Sequence, residues 1–572
     1  MRSFVSLKTG LMTALAGVLL LTAACEEQKG DTAQSGPKVI SREEASSRLT
    51  KLLKDVQSRA EPVGSAEAVA TAPAETAPKL PPVDSFPLTV DPGVVSGATV
   101  TEIFASTEKS GKGTDGWMVE AVTKFNASNH RLSDGSTARI ALRSIASGTA
   151  YDLIAWGQGK PAGFTPSNEL WVRMAEARGV KTQLISPRLV GNTAGIVMKE
   201  DMAKRIEDER GSVGIAEVVD DVVQGKAVAG YTDPFASSTG LNFLVSVLEQ
   251  FANKNEAKLL SPDVTAALEA FQKNIPFIAQ TTMQMRDSVA NDGSLDTFVM
   301  ERQTFVNTDS LKSGYRFVPF GVRHDNPLYA LESATPAQIE TMEAFAGFAA
   351  GSEMQKLAQS YGFEEGEPWA SAFPVPSGQT LIEAQKIWKQ KKDAGKRIVA
   401  VFLADLSGSM EGPRITNLKA ALEAGVTAIS PKNSIGLVVF SSDVRTVLEP
   451  APFTFLQKAR FLKAVDEMSV GGGTAMFDGI AVSLRVLEEE LKKDPNAKPM
   501  LFVLTDGETN EGHVFDDLAP IVRGMRIPVH TIGFEADLKV LGQVSNLVEA
   551  ASIKAGVDDV AYKISAMLNS QM

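Results

Sequence analysis

Asp405, Ser407 and Ser409 stand at alternate positions in Arg397-Ile-Val-Ala-Val-Phe-Leu-Ala-Asp-Leu-Ser-Gly-Ser-Met410. The apolar run before them predicts a parallel strand buried on both faces, and Gly408 loosens the turn that follows. A carboxylate and two hydroxyls at a strand's carboxyl end make an oxygen-only cradle. That donor set suits a hard cation such as Mg²⁺, which takes about six oxygens and keeps positions open for water or a partner's oxygen. Two further segments supply matching groups. Gly471-Gly-Gly-Thr474-Ala-Met-Phe-Asp478 is a glycine loop that ends in a hydroxyl and opens a helix, and Met500-Leu-Phe-Val-Leu-Thr-Asp506 ends a second apolar run in a carboxylate.

The elements that must position these groups are strands feeding loops, with helical segments between them. A strand-end acid with hydroxyls, then a loop threonine, then a strand-end aspartate resembles the von Willebrand factor A (VWA) domain, over residues 397 to 572. Ile527-Pro-Val-His-Thr-Ile-Gly-Phe534 then reads as a late core strand. The resemblance implies a doubly wound, Rossmann-like α/β fold with a metal-ion-dependent adhesion site. There Ser407, Ser409 and Thr474 would hold Mg²⁺ (or Mn²⁺ or Ca²⁺) directly, while Asp405 and Asp506 act through waters and hydrogen bonds. Neutral hydroxyl ligands under-compensate the cation, so it retains affinity for an Asp or Glu of a protein partner. In a parallel sheet such loops meet in the crevice beyond the strands' carboxyl ends. Asp478 is open to two readings, as an orienter of Thr474 or a water, and as a first-turn helix acid. His530, inside an apolar strand, reads as a core histidine, and His513 as a residue near the rim. No Ser-His-Asp order, catalytic carboxylate pair or P-loop lysine can be assembled, so binding rather than catalysis is expected and no catalytic residue is assigned.

Upstream, over residues 98 to 377, apolar runs alternate with helical patterns. The predicted strands are Thr99-Val-Thr-Glu-Ile-Phe-Ala, Ala138-Arg-Ile-Ala-Leu-Arg-Ser, Tyr151-Asp-Leu-Ile-Ala, Gly195-Ile-Val-Met, Ala227-Val-Ala-Gly-Tyr and Tyr315-Arg-Phe-Val-Pro-Phe. Alternation of this kind predicts an α/β domain with a largely parallel sheet, of a size that suits two lobes. Gly230-Tyr-Thr-Asp233-Pro-Phe-Ala-Ser237-Ser238-Thr239-Gly240 ends a strand, turns at Asp-Pro and starts a helix whose exposed amides favour an anion. Ser106 and Thr107 mark a second hydroxyl-rich strand exit, and Ser144 and Ser147 a third. Together these turns resemble the bacterial extracellular solute-binding fold, in which two lobes close on a ligand. The resemblance makes Ser106, Thr107, Ser144, Asp233, Ser237, Ser238 and Thr239 candidate ligand contacts. Plain N-capping is the competing reading of Asp233 and Ser237 to Thr239. Arg143 reads as an anion clamp or a salt-bridge partner, and Trp156 and Trp171 read as packing residues ahead of cleft residues. Residues 378 to 395 form a Lys-rich helical connector, and the VWA-like domain occupies 396 to 572.

The chain starts with Arg2 and Lys8, an apolar stretch from Leu11 to Leu21, and Thr22-Ala-Ala-Cys25. A basic region, a short apolar core and small residues before a break predict a secretory signal over residues 1 to 25. The break falls at the only cysteine and resembles a bacterial lipobox, with Thr22 where Leu is more usual, which implies that Cys25 carries the lipid of a membrane anchor. A single cysteine permits no intrachain disulfide. Residues 26 to 97 read as a tether, a short amphipathic helix within 41 to 60 and an Ala/Pro-rich linker. With 572 residues, several domains are expected. Lys plus Arg of 57 against Asp plus Glu of 69 gives a net charge of −12, which disfavours nucleic acid as a partner.

The sequence therefore predicts a lipid-anchored protein of the bacterial envelope, at the periplasmic face or the cell surface. A solute-binding-like receptor module would be joined to a VWA domain that grips a protein partner through Mg²⁺. Two other functions compete with that expectation: uptake of an oxyanion or other small solute, and an accessory role positioning a catalytic partner.

Overall fold

The computed structural model describes residues 40–64, 80–289, 295–364, 369, 374–426, 429–507, 509–534, 538–548, 550, 552–555 and 560–572. The signal expected over residues 1 to 25, Cys25 included, lies outside the described residues, as does the tether at 26 to 39.

One seven-stranded sheet carries the Asp405 loop. Its order is Ser58–Ala60, Val444–Pro452, Ser434–Phe440, Ile398–Asp405, Lys498–Thr505, Val529–Phe534 and Ser552–Ala555. All neighbours run parallel except Ser434–Phe440 with Val444–Pro452. Every residue of Ile398–Asp405 is buried. Alternate side chains explain why: Ile398, Ala400, Phe402 and Ala404 join one apolar layer, and Val399, Val401 and Leu403 join the other. A strand covered on both faces must be apolar at every position, so its first polar residues are the ones released at its end. Because Lys498–Thr505 lies beside it in parallel register, Asp405 and Asp506 emerge at the same edge.

The intervening chain forms two lobes, each with its own mixed sheet in place of the single largely parallel sheet predicted. The first has the order Leu88–Val90, Thr137–Ser144, Ala98–Ala105, Gly163–Thr165, Leu328–Leu331 and Thr182–Ser186. The second has the order Tyr315–Arg323, Thr193–Lys199, Thr297–Glu301, Ala229–Thr232 and Phe277–Ala279. Tyr151-Asp-Leu-Ile-Ala, predicted as a strand, is the second half of a helix, Ser147–Ala155. Five residues are too few for a period to separate the two forms, and the packing of Leu153, Ile154 and Tyr151 against Trp171 decides it.

The stretch from 40 to 97 is more structured than its composition suggests. Ser41 caps a helix, Arg42–Leu52, its side chain accepting from the Glu44 amide at 3.2 Å. Ala45, Leu49 and Leu52 are buried in a core layer of the seven-stranded sheet beside Leu518, Val522 and Met525. Gly524 permits that approach, since a Cβ there would stand 2.7 Å from the Ala45 Cβ. Residues after Leu52 leave the helix and add Ser58–Ala60 to the sheet edge, a pairing extended by the Glu61 and Val63 amides, which donate to Thr446 and Val447 carbonyls. Farther on, Leu88–Val90 pairs with the first lobe. Residues 65 to 79, the rest of the expected linker, lie outside the described residues.

The expected connector is a helix, Gly378–Lys391, but it belongs to the lobes: Leu381 and Ile382 enter one core, Ala384 and Trp388 another. The C-terminal helix Val560–Gln571 bridges the two domains. It packs on the Pro413–Gly425 helix, and its Gln571 Nε2 donates to the Ile278 carbonyl at 2.6 Å.

Candidate functional site

The Asp405 carboxylate is fully buried and both of its oxygens are engaged. Oδ1 accepts from the Ser407 amide at 2.8 Å and Oδ2 from the Thr505 hydroxyl at 2.5 Å. Burial pushes this carboxyl above the ordinary aspartate range, against the pull of the Ser407 and Thr505 hydrogen bonds. The first bond folds the loop so that the Ser407 and Ser409 hydroxyls stand 3.0 Å apart. The glycine loop is tied to the same turn: the Gly408 amide donates to the Gly472 carbonyl at 3.1 Å and the Gly471 amide to the Leu406 carbonyl at 2.8 Å. Thr474, buried at the end of that loop, donates its amide to the Asn510 side-chain oxygen at 2.8 Å, and its carbonyl accepts from the Thr509 hydroxyl at 2.8 Å. Asp506 ion-pairs with Arg414 at 3.2 Å, and the same guanidinium nitrogen donates to the Ser409 carbonyl at 2.9 Å.

Asp405 thus ends its strand, and the other four predicted positions sit in loops at the same edge of the sheet. Asp405, Ser407 and Ser409 are joined directly, Asp506 reaches them through Arg414, and the Thr474 loop docks through Gly472. Arg414, Asn510 and Thr505 escaped the sequence reading. Only Arg414 carried a signal, a cation five residues beyond Ser409. Asp478 is a first-turn acid of the helix Met476–Lys493, one of its two readings, and its Oδ1 also holds both the amide of His513, at 3.1 Å, and its Nδ1, at 2.6 Å, fastening the segment after Asp506 to that helix. His530 is buried as expected, stacked on Phe502 with ring centroids 5.0 Å apart.

The donor set fits a hard cation. No group of three or more His, Cys, Asp or Glu converges among the described residues, so a cation here would rest on hydroxyls. Ser407, Ser409 and Thr474 would supply them, and Asp405, its oxygens occupied, would orient the loop.

In the lobes the polar atoms of the predicted contacts, Thr107 apart, are engaged by the chain's own groups. Ser106 Oγ accepts from Lys109 Nζ at 2.6 Å, and the Ser144 hydroxyl accepts from that of Ser110 at 2.9 Å. Thr107 opens the short helix Thr107–Ser110. Asp233 accepts from the Phe235 amide at 2.8 Å, and burial raises its carboxyl to about 6. Ser237 caps the helix Ser238–Phe251, the competing reading, while Ser238 Oγ receives the Trp171 indole at 2.9 Å and Thr239 lies 3.3 Å from the Thr282 hydroxyl. Trp171 is buried, whereas Trp156 is 39% exposed beneath the Arg178 guanidinium. Arg143 is a buried clamp on the chain itself, donating to Glu102 and to the Val83 and Phe86 carbonyls.

The lobes are bridged to one another. The Gly148 amide donates to the Ala236 carbonyl at 3.1 Å, Arg286 pairs with Asp115 at 3.1 Å and Gln303 donates to the Thr114 carbonyl at 2.7 Å. Where the chain crosses between lobes, a buried network missed from sequence holds His324. Its Nε2 faces the amides of Asn168 and Asn242 at 3.0 and 3.2 Å, and its Nδ1 faces Glu301 at 2.7 Å.

Comparison with known proteins agrees with both halves of this architecture. Residues 400–565 match the family model of the von Willebrand factor type A domain, and residues 110–364 that of the bacterial extracellular solute-binding protein. The chain carries an extracellular solute-binding domain followed by a VWA domain, with an α/β fold in each. It is similar to inter-alpha-trypsin inhibitor heavy chain H1 of Mesocricetus auratus, 32% identical over 149 residues, covering 24% of this chain and 16% of that protein. Among solved structures it is similar to a von Willebrand factor type A protein from Catenulispora acidiphila, with 21% identity, TM-score 0.27 and coverage of 30% and 42%. It is also similar to the sulfate-binding protein SubI from Mycobacterium tuberculosis H37Rv, with 16% identity, TM-score 0.35 and coverage of 49% and 92%. No helix among the described residues is long and apolar enough to cross a membrane.

Proposed function

We propose that this protein is an envelope lipoprotein, anchored through Cys25, whose VWA domain binds a protein partner through a divalent cation, Mg²⁺ first and Mn²⁺ or Ca²⁺ as substitutes. Ser407, Ser409 and Thr474 hold the metal, Asp405 and Asp506 orient the shell, and the partner's Asp or Glu completes it. The action is binding, without covalent chemistry. The observation that carries this reading is the convergence of two serine hydroxyls, 3.0 Å apart, on a loop held by a buried carboxylate. A bound cation would supply the electrostatic grip on an anionic partner, and the chain's own part is to present it at a loop edge open to a second protein.

Titration calorimetry of the full chain with Mg²⁺, beside Asp405→Ala, tests the site. Binding by the wild type alone is expected; equal binding by both proteins overturns the assignment. A pull-down from envelope extract with and without chelator then tests the partner, and capture indifferent to chelator would refute the metal-mediated grip.

A second reading is favoured by the lobes. Lys109 is fully buried, its Nζ donating to Ser106 Oγ and, at 2.8 Å, to the Thr165 carbonyl, beside the Ser110 and Ser144 hydroxyls. A cation among hydroxyls is a fitting wall for an oxyanion, and the domain would then be a receptor for one. A thermal-shift screen of sulfate, phosphate and molybdate tests it; no stabilisation by any of the three would refute it.

A further inference from the structure

Far from the Asp405 loop, a cavity of about 360 Å³ lies between the second lobe and the VWA domain. Its walls come from both domains and the segment joining them. Five cations line it, Lys273, Lys392, Lys396, Lys498 and Arg526, against one carboxylate, Asp393. In a chain of net charge −12 that is a local reversal of sign. The one acid is shared: Asp393 Oδ1 lies 3.0 Å from Lys392 Nζ and 3.8 Å from Lys498 Nζ. Lys273, Lys396 and Arg526 have no ion pair among the described residues.

Two features make this more than a solvated face. The Lys392 side chain is fully buried and that of Lys498 is 21% exposed, and burial lowers both ammonium groups to about 8, so their positive charge is held at a cost. Arg526 also adopts the left-handed conformation (φ 53°) at the C-terminal cap of the helix Phe515–Met525, the position where glycine is favoured. The lining also includes the apolar Ile275, Pro276, Pro499 and Pro528. The volume falls in the range of small-molecule sites, and Arg beside paired lysines is a phosphate-binding set.

We propose that this interdomain cavity binds a phosphomonoester, its dianionic head among Lys392, Lys498 and Arg526 and its compact organic body against the proline wall. Since the lining belongs to both domains, occupancy would favour their present apposition.

Phenyl phosphate is the probe, titrated calorimetrically into the full chain at low salt, with inorganic phosphate and phenol for comparison. Saturable one-to-one binding of phenyl phosphate is expected, tighter than either comparison compound and weakened by salt. Arg526→Gly removes the charge while relieving the backbone, so its thermal stability should hold or rise while affinity falls about tenfold or more; Lys498→Met should lose affinity by a similar factor. No binding of phenyl phosphate at millimolar concentration, equal binding of phenol, or unchanged affinity in both variants would overturn the proposal.

Discussion

Replacing Leu49 by alanine tests whether the segment before the lobes is part of the VWA fold or a spacer. Leu49 is fully buried on the helix Arg42–Leu52, in the core layer that also holds Val399, Val401 and Leu403 of the central strand. A Leu→Ala change in a closed core costs about 2–5 kcal/mol, from lost transfer energy and the cavity left behind, and about 3 kcal/mol is reasonable where one helix can partly settle. A substitution on a solvated linker stays within about 0.5 kcal/mol. The two differ by far more than experimental scatter. All the tryptophans lie outside residues 397 to 572, so indole fluorescence would miss the effect. Hydrogen exchange of the Ile398–Asp405 peptide reads it directly: about 3 kcal/mol corresponds to roughly a hundredfold faster exchange through global opening. Acceleration below about threefold would mean that the helix does not support the sheet and that its placement in the core is wrong.

Three further outcomes are expected. Arg414→Ala removes a guanidinium 3.2 Å from Asp506, and Mg²⁺ affinity should rise by about three- to tenfold, a modest factor because the side chain is 36% exposed and screened; weaker Mg²⁺ binding in calorimetry would contradict the site. His324→Ala removes one of the buried partners of Glu301, Asn168 and Asn242 and should cost about 2–4 kcal/mol in denaturant unfolding followed by tryptophan fluorescence, whereas a loss below about 0.5 kcal/mol would show the network to be dispensable. Burial lowers the His530 imidazole to about 3, with Lys498 adding to the shift. An unfolded histidine, near 6.5, takes up a proton that the folded one refuses, so its stabilising contribution is intact above about 6.5 and falls away as pH drops from there toward 3. Between pH 7.5 and 5.5 that amounts to about 1.4 kcal/mol, which His530→Phe should abolish; parallel pH profiles for the two proteins would refute it.

The central strand and the Asp405 turn were legible because burial on both faces leaves a continuous apolar run whose end is marked by its first polar residues. Asp506 was legible for the same reason one strand over. Ser58-Arg-Ala carries no such mark: its pairing with Val444–Thr446 is made by backbone groups, which leave no trace in composition, and its side chains are exposed. The Gly378–Lys391 helix was legible as a helix but not as a core element, since its lysines mask the buried Leu381, Ile382, Ala384 and Trp388. The hydroxyls of the lobes were found by type, yet whether Ser237 caps a helix or meets a ligand depends on which donor lies nearest, and that is tertiary information. His324 was invisible because its partners, Asn168, Asn242 and Glu301, come from three separate segments.

The edge strand Ser58–Ala60 also sets a timing problem for synthesis. Arg59 and its ion-pair partner Asp443 are separated by 384 residues. At about 5–20 residues per second, the ribosome takes roughly 20–80 s to supply the second after the first. Throughout that interval the apolar face of the helix Arg42–Leu52 has no sheet to cover, while the lobes that follow it can already fold. Until then a growing chain carries the solute-binding domain and, ahead of it, an orphaned helix whose partner, the helix Phe515–Met525, is supplied about 460 residues later.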